Sequence, residues 1–390
     1  MQELNDERVL FAFARDLEPA LTVASGETVR IRTQDCFGNQ VQTPEDELDE
    51  IDWDRINPAT GPVFVEGAVP GGALKVTIEN IELDPQTASC TGKDEGVCGD
   101  RFDAWSTHLC AIDGDKLVWN DQLSIPLNPM IGVIGVAPAG DPVNCGTPGS
   151  HGGNMDNTAI TTGATLYFPV AVEGALFGCG DMHAAMGDGE ISVSGAEVAG
   201  YATVTLTALP DLHLVDPLIE NGTHLGIIAS AESLDAAADR AVHEMVDLLH
   251  DRTGVDEAEL GHAAVAGGRR ASVPDGGSAE DRPLHGSQVR VGIAGVQAVV
   301  EEKVVVCATS ACRPFVLAVT TSRLAVLPFV ARLRARYDAF GARCGAGSGE
   351  RKELAHGLSH GRYPRQQNRF TVEMVIVLFV RPLTASYNAL

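Results

Sequence analysis

The sequence predicts a mainly β fold of α+β type, with a β-sandwich or jelly-roll-like body, one helix near residues 233–250 and an irregular tail. Three observations carry this expectation. Apolar residues alternate in many short runs. The 42 glycines and clusters of Pro, Gly and Asp cut the chain into short segments. One stretch alone combines helical spacing with a capping residue and a terminating glycine.

In chain order, residues 20–34 alternate through Leu21, Val23, Val29 and Ile31, as a strand does. Residues 45–54 form an acidic loop. Asn57-Pro-Ala-Thr-Gly-Pro62 reads as a turn cluster that punctuates the chain. Short β-like runs follow at 63–65, 74–81 and 117–119. Pro70-Gly71-Gly72 and Asp113-Gly114-Asp115 fall between them as hairpin-grade turns. Residues 130–136 and 165–172 are buried-strand candidates, and 191–207 alternates again. Ser233 caps a helix whose Ala236, Ala237, Ala241, Met245, Leu248 and Leu249 keep helical spacing to about His250. Thr253-Gly254 closes it, and a second short helix starts at Val255. Later, 324–333 reads as helical and 371–380 as a strand.

Charge is uneven along the chain. Residues 1–262 hold 44 Asp and Glu against 11 Lys and Arg, a net −33, whereas residues 263–390 carry a net +8. An acidic, lysine-poor surface repels itself at low salt and stays soluble when salt screens it. The expectation is a halophilic, cytoplasmic protein, with no nucleic acid and no membrane as partner. No basic segment followed by an apolar run opens the chain. The apolar run at 375–380 is about a third of a bilayer span. The nine cysteines are scattered without a CxxC pair, so free thiols are expected.

Four clusters can carry chemistry. Asp35-Cys36 puts a carboxylate and a thiol at a strand end, where a turn-capping Asp beside a buried Cys is an equal reading. The turns of 57–72 form the second cluster. In His151-Gly152-Gly153-Asn154-Met155-Asp156, two glycines let backbone N–H groups approach a ligand oxygen, although an ordinary glycine turn fits as well. In Gly180-Asp181-Met182-His183, Asp181 and His183 share a face if extended, and Glu190 returns after a glycine-rich turn. Carboxylates with an imidazole suit Zn²⁺ or a similar divalent metal. A hairpin with polar turn residues is the other reading of that cluster.

The order Asn57-Pro…Thr60-Gly-Pro62, Gly152-Gly-Asn-Met-Asp156, Phe168-Pro-Val170…Gly174-Ala-Leu-Phe177 and Gly180-Asp-Met-His183…Gly187-Asp-Gly-Glu190 resembles the acetamidase/formamidase family over roughly residues 5–260. The resemblance implies hydrolysis of formamide, acetamide or related small amides, a β-rich fold, homo-oligomers and a divalent metal, with zinc the first choice. Amide hydrolysis needs a strong nucleophile, a stabilised oxyanion and a protonated leaving amine. On that chemistry Asp181 and His183 are assigned to the metal, with Asp156 or Asp35 completing its shell. Glu190 is the acid/base, Asn154 a polar orienting group, and Gly152 and Gly153 line the oxyanion side. A β-sandwich binding protein that keeps the fold without turnover is the alternative.

The resemblance stops after Leu260. Residues 1–260 are therefore read as the catalytic domain and 261–390 as an atypical basic tail. Synonymous codons for residues 261–277, read one base later, can spell GMLLSLAGDVRASQMVD, an apolar helix followed by a polar strand. The tail is expected to be translated out of frame; an appended basic domain is the alternative.

Overall fold

The computed structural model describes residues 1–188, 190–222, 224–273 and 287–293, with four two-residue strands between 297 and 314. The segments expected at 324–333 and 371–380 lie outside the described residues.

The chain opens with β1 (Gln2–Leu4), β2 (Val9–Leu10), β3 (Ala12–Phe13), β4 (Leu21–Val23) and β5 (Glu27–Thr33). A turn at Ser25-Gly26 divides the predicted 20–34 run into β4 and β5. Next come β6 (Ala59–Val65), β7 (Ala73–Leu83), β8 (Gln86–Thr91), β9 (Ser106–Asp113), β10 (Lys116–Val118) and β11 (Ser124–Pro126). Then follow β12 (Met130–Gly135), β13 (Val143–Asn144), β14 (Gly152–Asn154), β15 (Thr165–Pro169) and β16 (Phe177–His183). The β-rich part ends with β17 (Glu197–Val198), β18 (Gly200–Leu209), β19 (Leu218–Asn221) and β20 (His224–Ala231). Helices α1 (Leu234–Thr253) and α2 (Glu257–Gly267) lead to β21 (Gly268–Val273) and β22 (Ser287–Ile293).

Among the described residues, one large sheet runs β1-β5-β18-β7-β15-β19-β20-β22-β21. The other runs β11-β10-β9-β8-β17-β16-β12-β14, and β6 joins it through β16 and carries β2 and β4. One apolar cluster draws on both sheets. Val29, Ile31, Val76, Ile78, Val204 and Leu206 come from the first, and Val63, Ile131, Ile134 and Phe177 from the second. Alternate residues of β7 and β18 point into this core, as a sandwich requires. Strands β12 and β16 are different: every residue in them is buried. A second cluster seats Ala237, Ala241, Met245 and Leu249 of α1 on Leu218, Leu225 and Ile227.

Three local expectations change. Residues 59–62 are strand, because β6 is bonded between β16 and β2 and its residues 59–63 are all buried. Tertiary pairing overrides the turn propensity of Thr-Gly-Pro there. Pro70-Gly71-Gly72 carries the chain from one sheet to the other and closes no hairpin, since β6 and β7 do not pair. The tail is not irregular throughout: β21 and β22 pair with each other, and β22 pairs with β20. Helix α2 also runs across the boundary expected at 260/261.

Helix α1 follows its sequence signals closely. Ser233 Oγ accepts from the Ala236 N–H at 3.2 Å, and Gly254 caps the other end at φ 66°. Ser233→Ala is expected to cost about 1 kcal/mol, the usual value of a lost N-cap. The urea midpoint should fall with an unchanged m-value, and an unmoved midpoint would count against the cap.

Candidate active site

Strand β16 carries Asp181 and His183 into the buried middle of the second sheet, between β12 and β17. Pairing of Ile131 with Met182 and of Val133 with Gly180 leaves Gly132 opposite Asp181. A Cβ on Gly132 would stand 2.6 Å from Asp156 Oδ1 and 2.9 Å from Asp181 Oδ2. A Cβ on Gly195 would stand 2.6 Å from His183 Nδ1. The two missing side chains are the space in which the polar groups meet.

Around that space, His183 Nε2 lies 3.2 Å from Glu197 Oε2, 3.6 Å from Asp181 Oδ1 and 3.7 Å from Asp156 Oδ1. His183 and Glu197 are direct cross-strand partners on β16 and β17. Two groups of donor atoms lie within 4.8 Å of one another: Asp156, His183 and Glu190 in one, Cys36, Asp181 and Glu197 in the other. Of the residues singled out by sequence, Asp156, Asp181, His183 and Glu190 therefore meet. Glu197 joins them from outside the four sequence clusters. Its one legible signal is a charged residue inside the apolar run Ala196-Glu-Val-Ala199.

Asp35 adjoins this cluster without facing it fully. Its carboxylate accepts from the Asn39 backbone N–H at 2.7 Å and from Gln42 Nε2 at 3.0 Å, which organises the turn of residues 35–42. Burial raises its pKa to about 6, and the nearby negative charge of Asp181 adds to the rise. Asp35 also lines a separate cavity with Gln42, Asp84, Gln86 and Thr87.

The oxyanion expectation for Gly152 and Gly153 is corrected. The Gly152 N–H donates to Gly149 O at 3.0 Å. Gly153 faces Ile134, and Val136 N→His151 O and Met155 N→Gly132 O are bonded on either side. Strict alternation in an antiparallel pair makes Gly153–Ile134 the bonded pair between them. Both N–H groups are thus used by the protein. These positions are glycine because their φ values are +95° and +87°, and because a Cβ would run into Ile134 O or Thr147 O. Asn154 follows on β14, half-buried and opposite Val133.

The signature of the Acetamidase/Formamidase family matches residues 3–144 and 142–256. The chain belongs to that family. A predicted acetamidase/formamidase of Thermoanaerobacter tengcongensis is 43% identical, with a TM-score of 0.71, covering 75% of this chain and 95% of that one. An acetamidase of Bacillus halodurans is 39% identical, also at 0.71, covering 74% and 96%. An acetamidase of Mycolicibacterium smegmatis is 29% identical over 255 residues, 48% of this chain and 62% of its own. The chain spans a little under two thirds of the length of the curated relatives it matches. All four sequence clusters of the site lie inside the family match.

Burial and crowding of charge set the protonation of this family member's cluster. Burial raises the Glu197 carboxyl to about 8 against the opposing pull of His183. Burial, then the charge of Asp156, pushes Glu190 well above the usual carboxylate range. For His183, burial favours the neutral ring, but Glu197 and Asp181 outweigh it and hold the imidazole well above its ordinary value. Behind the cluster, Arg240 of α1 anchors the loop before β14. It grips buried Asp216 at 2.6 Å and donates to Ser150 Oγ at 3.1 Å.

The next residue in that loop, His151, packs edge-on against Phe13 at 5.4 Å, and its Nε2 makes no hydrogen bond among the described residues. Burial lowers its pKa to about 4. The unfolded chain binds this proton near pH 6.5, so between pH 6.5 and 4 the unfolded state holds more protons. The His151 contribution to stability is thus full above pH 6.5 and falls as pH drops, by about 3 kcal/mol at the acid end. In His151→Phe this component should vanish. The unfolding free-energy difference between the two proteins should tilt across that window and stay flat above it; a constant difference would refute the assignment.

Proposed function

We propose that the chain is a metal-dependent amidase that hydrolyses formamide, acetamide or a similarly small amide to the carboxylic acid and ammonia. One observation carries this reading: Asp156, Asp181, His183 and Glu190, from separate segments of the chain, meet in one buried space floored by Gly132. Formamidase and acetamidase are the names of the family's relatives, and they supply the substrate class.

The residues fit a divalent cation. Asp181 Oδ1 and Glu197 Oε2 are buried, with His183 Nε2 3.6 Å and 3.2 Å away, and no Lys or Arg among the described residues pairs with either. Imidazole with carboxylates is a donor set that zinc favours. His183, Asp181 and Asp156 would hold it. When bound, the ion supplies Lewis acidity toward the amide carbonyl and lowers the pKa of water toward neutrality.

The remaining work falls to the protein. Glu190 sits half-buried at the rim, with its carboxyl raised by burial and by Asp156. It can take a proton from water and return it to the departing amine at neutral pH. Asn154, two residues before Asp156, orients the amide. Asp35 acts at one remove, through the turn it organises. The water adds to the carbonyl carbon, the C–N bond breaks, and the amine leaves as ammonia.

Ammonia release from formamide and acetamide, measured in high salt together with metal analysis, tests the proposal. Glu190→Gln is expected to lose roughly 10²–10⁴-fold in rate while keeping its metal. Full activity in a well-folded Glu190→Gln protein would remove that role. Absence of both metal and turnover in the wild type would favour a non-catalytic binding protein on the same fold.

We also propose that the reading frame changes at about residue 261. The net charge reverses there, from −33 over residues 1–262 to +8 beyond. The family match ends at residue 256. The nucleotide sequence should restore a family-like C-terminus after a one-base shift, and an unshifted family-like frame would sink this idea.

A further inference from the structure

We propose that Glu190 is positioned by two contacts from outside its own loop, one from the Thr158 hydroxyl and one from the 92–101 loop through the Val97 N–H. Thr158 and Val97 are positioning residues: they act through Glu190. The proposal rests on the acid/base reading of Glu190, and its test separates failure of that reading from failure of the contacts.

Glu190 needs fixed points because of where the chain puts it. The connection from β16 to β17 is closed at its base, where Ala184 N–H donates to Ala196 O at 2.8 Å and Ala196 N–H to Ala185 O at 3.0 Å. Glu190 stands beyond that base, in a turn where its N–H donates to Gly187 O at 3.0 Å. Its φ is +34°, a left-handed conformation that a residue with a side chain seldom adopts. Such a residue keeps its place only when the surroundings determine it. The place matters here, since a Glu190 carboxylate oxygen lies within 4.8 Å of donor atoms of Asp156 and His183.

The fixed points lie on either side of it. Before Glu190, Thr158 Oγ1 donates to Asp188 Oδ1 at 2.5 Å. Thr158 follows Asp156 by two residues, so this bond ties the turn to the segment that delivers Asp156 to the cluster. After Glu190, Val97 N–H donates to Ile191 O at 2.9 Å. The side chains of Val97 and Ile191 are 71% and 64% exposed, so the backbone bond, and not burial of those side chains, makes this contact. Gly96, at φ +65°, lets the loop come so near that a Cβ there would run into Ser192 O. The loop is itself braced: Asp94 N–H donates to Gly99 O at 3.0 Å and Arg101 N–H to Cys98 O at 2.9 Å. Its Gly92 lies against the Trp105 ring, which packs on Trp53 with ring centres 5.4 Å apart.

The test is a double-mutant cycle on the full chain, read as ammonia release from formamide in high salt. Thr158→Val removes the hydroxyl and keeps the shape, and Val97→Pro removes the N–H. Each is expected to lower kcat about tenfold, a common result of a small misplacement, with KM, bound metal and thermal midpoint near the wild-type values. Thr158→Ser, which restores the donor, should recover most of the rate. In the Glu190→Gln protein neither change should cost anything further, because residues that act through one group are not additive. If Val97→Pro does not fold, Gly96→Ala, which presses on Ser192 O, replaces it with the same expected losses. A wild-type kcat in Thr158→Val, an equal loss with and without Glu190, or a loss that follows bound metal or the midpoint would each overturn the proposal and leave the acid/base reading standing. Full activity of Glu190→Gln alone would remove that reading, and the proposal with it.

Discussion

The centre depends on gathering several carboxylates around one imidazole inside a sheet. His183 stands within 3.7 Å of oxygens from Asp156, Asp181 and Glu197. Charge buried without compensation is among the most expensive features a fold can carry. It persists here because the backbone imposes it. Glu197 is fixed by cross-strand pairing to His183, Asp181 by its place on β16, and Asp156 by the turn that leaves β14 beside Gly132. Each side chain is delivered by an element whose hydrogen bonds and apolar contacts are made elsewhere. The stability of the sandwich thus sustains the crowding.

The two sheets contribute differently to that task. The first is an alternating sheet with one face in the core, and α1 packs against part of it. The second contains β12 and β16, buried throughout, and these strands leave no exposed face along which a carboxylate could escape to water. Small residues make the close approach possible. Gly132 and Gly195 vacate the space beside the carboxylates and the imidazole, Gly152 lets β14 lie tightly on β12, and Gly153 leaves room for the Thr147 carbonyl of the loop before it. Arg240 extends the control outward by tying helix α1 to the loop that enters β14.

Much of this was legible in the sequence, for identifiable reasons. Alternation revealed β5, β7 and β18, because each has one core face. Caps revealed α1, because its end signals are local. Four of the meeting side chains were legible because they sit in motifs rich in Gly, Asp and His. Glu197 was not, since its importance arises from a cross-strand neighbour that no local pattern names. The Thr60-Gly-Pro62 segment misled for a related reason: its turn-forming composition says nothing about the two strands that enclose it. Gly152-Gly153 is legible as a pair, but not the group that it accommodates. A glycine pair signals close approach, and here the approaching group is the protein's own backbone.

The chain's acidity has two separate physical meanings. On the surface, acidic residues are exposed to salt, which screens them within about 8–10 Å at ordinary ionic strengths. The arginines of the first sheet are already engaged there: Arg30 with Glu3 and Glu82, Arg32 with Asp84. Arg240, whose side chain is partly exposed, is likewise taken by Asp216 and Glu244, while inside the sheet screening does not reach. Cations from the solvent can therefore relieve the surface without relieving the centre. There burial pushes Glu190 and Glu197 toward the neutral form, and the imidazole of His183 faces the rest of the cluster. A composition that reads at first as adaptation to salt thus contains, at Asp156, Asp181, Glu190 and Glu197, a small set of acids that salt cannot serve.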